Sequence, residues 1–151
     1  MTDYDAFHEA RTTLGTLQRE YTACNSFNAA VAYMAGEVCD QSLRALFTVA
    51  TSETLPHAKY RPPHNPHGLA AALGIEPRYS AETRAFLLTL QGYALPSARF
   101  ESTSAYERHV APESADRARE LLDGATRCLA ESERLATDSA VLATIRANKR
   151  S

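Results

Sequence analysis

The chain has 151 residues, 44% hydrophobic and 23% charged, with a net charge of −2. One domain of that size buries roughly 68–70% of its unfolded surface, so a single globular domain is expected over 1–151. The balance excludes a protein that grips a nucleic-acid backbone with its whole surface, which needs a clear positive excess.

No stretch has the apolar length of a membrane span. The first ten residues, MTDYDAFHEA, are acidic and lack an apolar core. That is not a secretory signal, so a cytoplasmic location is expected. Fourteen arginines against two lysines, Lys59 and Lys149, read as genome composition rather than function. Cys24, Cys39 and Cys128 lack metal-ligand spacing and are odd in number, so they read as buried small residues in a reducing compartment.

Thr2 or Asp3 can cap a first helix. Phe7, Ala10, Leu14, Leu17, Tyr21 and Cys24 step by threes and fours along one narrow stripe of it. The turn at 25–26 is short, so an antiparallel hairpin with the next helix is expected. That helix, 26–50, has Ser26 as its N-cap and no proline. Its apolar arc (Phe27, Ala30, Val31, Met34, Ala35, Val38, Cys39, Leu43, Leu46, Phe47) is wide enough to touch several neighbours, which predicts a central helix. Its one polar stripe is Glu37, Asp40, Gln41 and Arg44, on the solvent side or on a functional cleft.

The pattern stops at 51–66, a loop with four prolines and three residues capable of acid–base or anion chemistry, His57, Arg61 and His64. A two-turn helix follows at 67–73, ended by Gly74. Ser80 caps the next helix, which Gly92 and Pro96 end. Residues 97–112 are polar and irregular. From Glu113 a long helix runs to about Ala136, with Glu113–Arg117 and Asp123–Arg127 as i,i+4 pairs. Thr137 and Asp138 break it, leaving a short helix at 139–148 within a C-terminal segment of 137–151. No run alternates in the manner of a strand and no repeat appears, so the class is all-α, an up-down bundle of four to five helices.

Three stretches carry a family resemblance. Residues 35–46 (AGEVCDQSLRAL) resemble an alanine-rich second-helix signature with Glu-Lys and then Lys-Ala-Leu, and Asp40, Gln41 and Arg44 stand at its polar positions. His67, Gly68 and Leu69 with Leu73 resemble the histidine-plus-leucine helix that follows. Residues 93–100 (YALPSARF) resemble a segment in which tyrosine precedes Ala-Arg-Tyr-Pro, with Phe100 in place of the second tyrosine and no proline after it. In that order they resemble the HEPN family, the higher eukaryotes and prokaryotes nucleotide-binding domains. The resemblance implies a helical bundle that forms a homodimer with a polar cleft near the dimer axis. It also implies either a minimal nucleotidyltransferase partner in a toxin–antitoxin or defence pair, nucleotide binding, or metal-independent ribonuclease activity.

Nuclease members carry Arg, four to six residues, then His after the last irregular segment. Here Arg108 and His109 are adjacent, and Arg99 lies ten positions before His109. The spacing does occur at Arg61 to His67, in the proline-rich loop. RNA cleavage without metal needs a neutral-range acid or base and a fixed cation at the phosphate, so Arg61, His67, Arg108 and His109 are the catalytic candidates. Asp40, Arg44, Tyr93 and Arg99 are the nucleotide-binding candidates, because arginine's fork suits phosphate and Asp40 can orient it. No metal site and no cofactor are expected: His57, His64 and His67 lack supporting ligands. Glycine-rich phosphate loops, nucleophile elbows and paired-cysteine motifs are absent from the sequence. The departure from the nuclease spacing puts a regulatory binding module ahead of a ribonuclease toxin that contacts RNA, and both ahead of an interaction bundle with no small-molecule site.

Overall fold

A computed structural model describes residues 5–24, 29–55, 66–94 and 114–149, with the side chains of 23–24, 29–30, 91–94 and 114–117 outside the description. Six α-helices occur among the described residues: α1 (His8–Cys24), α2 (Ala29–Thr51), α3 (Pro66–Ala72), α4 (Ala81–Ala94), α5 (Ser114–Leu135) and α6 (Ser139–Asn148). A 3-10 turn, Glu76–Arg78, sits between α3 and α4, and no strand occurs among the described residues. The class is all-α. Among the described residues no helix is long and apolar enough to cross a membrane.

α2 is the central element. It packs most extensively against α5 and α1, and also touches α6, α4 and α3. Its wide apolar arc is the reason: Val31, Ala35, Val38, Cys39, Leu43 and Leu46 are all fully buried. Leu17 from α1, Leu69 from α3, Leu87 and Leu90 from α4, Leu121 from α5, and Val141 and Ile145 from α6 close around it. Each such side chain contributes about 1.5–3 kcal/mol on leaving water. The bundle is therefore held mainly through one helix. Glu9 near the start of α1 reaches Gln41 in the second half of α2, so the two helices run antiparallel.

The ends of the helices follow local chemistry. α1 begins later than Thr2 or Asp3 would place it. Asp5 accepts from the Phe7 N–H at 3.0 Å, and its own carbonyl accepts from His8 N–H. Thr2, Asp3 and the Ser26 cap lie outside the described residues. Gly74 ends the α3 segment at φ +78°, a conformation that only glycine adopts without strain. Asp138 caps α6 with its carboxylate on the Ala140 and Val141 N–H groups.

One clasp joins α4 to α5. Glu131 of α5 is 8% exposed. Its Oε1 accepts from Ser80 N–H at 2.8 Å, and its Oε2 accepts from Ser80 Oγ at 2.9 Å and from the Thr83 hydroxyl. Ser80 Oγ in turn accepts from Thr83 N–H. A carboxylate placed at a helix N-terminus meets both unpaired donors and the positive end of the dipole. Burial by itself pushes the Glu131 carboxyl up, but the Ser80 and Thr83 donors, with the charge of Arg134, hold it below the ordinary glutamate value. Next to the clasp, the buried Tyr79 hydroxyl shares a 2.7 Å hydrogen bond with Ser132 Oγ.

Candidate functional site

The polar stripe of α2 faces a cleft. Glu37, Asp40, Gln41 and Arg44 line it together with Ala45 and Thr48 of the same helix. Ala6 and Glu9 form the α1 wall, and Thr54 and Leu55 form the wall that follows α2. The cleft encloses about 170 Å³. Three- and four-residue steps put these α2 side chains on one edge, and α1 reaches the same edge because it runs antiparallel alongside.

Asp40 and Arg44 are brought together. Arg44 Nε donates to Asp40 Oδ2 at 2.8 Å, and the two side chains are 12% and 7% exposed, arginine first. Arg44 Nη1 also donates to the Leu55 carbonyl at 3.2 Å. The guanidinium thus bridges its own helix to the segment beyond it, and it pins Leu55, itself buried, against the bundle. Gln41 Nε2 donates to Glu9 Oε1 at 3.2 Å, while Gln41 Oε1 is buried with no donor. Tyr33, one turn before Glu37, is 45% exposed. Partial burial, then the charges of Glu37 and Asp40, raise its phenol above the ordinary value. That places an exposed aromatic ring within electrostatic reach of the carboxylates.

The remaining sequence candidates divide as follows. His67 lies at the start of α3, away from the cleft lining, with its Nε2 3.5 Å from Glu76 Oε1. Tyr93 is on the last turn of α4, and its side chain is outside the description. Arg61, Arg99, Arg108 and His109 lie outside the described residues. Among the described residues no group of three or more His, Cys, Asp or Glu is placed to hold a metal ion.

Sequence reasoning did not find Glu9 or the Leu55 carbonyl. Glu9 reads locally as an acid suited to the first turn of α1, and its partner is 32 positions away. The Leu55 carbonyl carries no side-chain signal at all.

Comparison with known proteins adds no name: no family model, no curated protein and no solved structure matches the chain.

Proposed function

We propose that the chain is a HEPN-like, homodimeric binding module whose α2 cleft takes a cationic group of a protein partner. The observation that carries this reading is the charge of the described lining. Glu9, Glu37 and Asp40 stand against Arg44 alone, and Arg44 already serves Asp40 and the Leu55 carbonyl. A nucleotide would bring further negative charge to carboxylates. At ~6 Å and an effective dielectric of ~20, each like-charge pair costs about 3 kcal/mol. A guanidinium or ammonium meets the opposite situation: carboxylates to pair with, and Tyr33 beside them to stack on, worth about 0.5–1 kcal/mol at an exposed site. Within the family resemblance, a minimal nucleotidyltransferase is the partner to try first.

A thermal-shift series tests it. Agmatine, a small guanidinium probe, is expected to stabilise the protein, and Glu37→Gln is expected to weaken that effect. ATP and GTP are expected to do nothing. Stabilisation by ATP or GTP that Arg44→Ala removes would instead support the nucleotide-binding reading. Cleavage of RNA in EDTA that His67→Ala or His109→Ala abolishes would support the ribonuclease.

A further inference from the structure

Two of the three cysteines meet in the core, although 26–50 and the helix from Glu113 give no reason to pair them. Cys39 of α2 and Cys128 of α5 are both free and both have 0% exposure. They lie on the two helices that share the most extensive packing in the molecule, with the Cys39 thiol hydrogen-bonded to that of Cys128. Tyr79, itself buried and bonded to Ser132, sits close to both sulfurs. The following residue after Cys39 is Asp40, so whatever fixes Cys39 fixes the register of the cleft edge.

Burial keeps both groups as neutral thiols, and a neutral thiol is a poor nucleophile. Reaction therefore starts from a locally opened state in which one thiol ionises. The second thiol is then already adjacent, which gives the intramolecular step a large advantage over attack by a second oxidant molecule.

We propose that Cys39 and Cys128 form a latent cross-link between α2 and α5, which a peroxide converts to an intramolecular disulfide and a thiol reductant restores. In the first step one thiolate attacks a peroxide oxygen, the O–O bond breaks, hydroxide leaves and a sulfenic acid forms. In the second the other thiolate attacks that sulfur, the S–O bond breaks and hydroxide leaves. Two thiols and one hydrogen peroxide give one disulfide and two waters. This inference stands apart from the reading of the cleft.

The test uses the full chain carrying Cys24→Ser, which removes the third thiol. After hydrogen peroxide treatment under native conditions, intact mass is expected to fall by about 2 Da, to recover with reductant, and to map to a peptide joining Cys39 and Cys128. Adding Cys128→Ala abolishes the loss; Cys39→Ala serves if that variant does not fold. A native protein whose mass is unchanged overturns the proposal. So does one that gains oxygen, or that forms covalent dimers, or that forms the cross-link only in denaturant.

Discussion

Replacing Glu131 by glutamine tests how the start of α4 is held to α5. The carboxylate accepts from Ser80 N–H, Ser80 Oγ and the Thr83 hydroxyl, and it is almost completely buried. Glutamine keeps the shape and one acceptor oxygen, but turns an NH₂ toward hydroxyls that must then rotate. Hydrogen bonds to a charged group contribute about 1.5–3 kcal/mol, and the charge at the helix N-terminus adds about 0.3–1 kcal/mol. We expect Glu131→Gln to cost about 2 kcal/mol at neutral pH, or roughly 4–8 °C in Tm at this size. Glu131→Ala should cost more, because it strands all three donors.

The pH dependence has a definite sign. The folded carboxyl titrates below its unfolded value, so its stabilisation is complete above about pH 4.3 and is lost as pH falls through the lower, folded value. Urea unfolding of wild type and Glu131→Gln at pH 7 and at about pH 3.5 should therefore show a gap that narrows on acidification. A gap of equal size at both pH values would refute the clasp.

Three further outcomes follow from local geometry. A Cβ at Gly124 would collide with the ring of Phe86, so Gly124→Ala should destabilise by about 1–2 kcal/mol in urea unfolding, the overpacking cost outweighing alanine's better helix propensity. Ser52, just past α2, holds φ +62°. Ser52→Gly should stabilise by about 0.5–1 kcal/mol and Ser52→Val should destabilise, read as opposite shifts in Tm. Asp40→Ala leaves a largely buried guanidinium with the Leu55 carbonyl as its partner in the cleft wall. It should cost about 3 kcal/mol, with limited proteolysis showing earlier cleavage near Leu55 than in wild type.

Much of the fold was readable because each helix carries its own periodicity and punctuation. α2 announced itself by a broad apolar arc, and Asp138 and Gly74 mark ends by local bonding that sequence states directly. The 3-10 turn at Glu76–Arg78 escaped notice because Pro77 and the cap at Ser80 read together as one helix start. Glu131 escaped for a different reason. On α5 it looks like one more solvated acid, and only the arrival of α4, about 50 positions earlier in the chain, makes it an acceptor. At the cleft, the Asp40–Arg44 pair was legible from i,i+4 spacing, whereas Glu9, Tyr33 and the Leu55 carbonyl come from tertiary contact. The excess of carboxylates emerges only when α1 is laid beside α2. Sequence alone drew attention to arginines there, because a linear stripe shows one helix and not the wall opposite.

The most direct test of the cleft's role is an amide NMR titration of the isotopically labelled chain with agmatine and, separately, with ATP. The account predicts that agmatine shifts Tyr33, Glu37, Asp40 and Gln41 together with Glu9 across the cleft, and that ATP leaves them in place. Shifts at Arg44 and its neighbours with ATP, and none with agmatine, would contradict it.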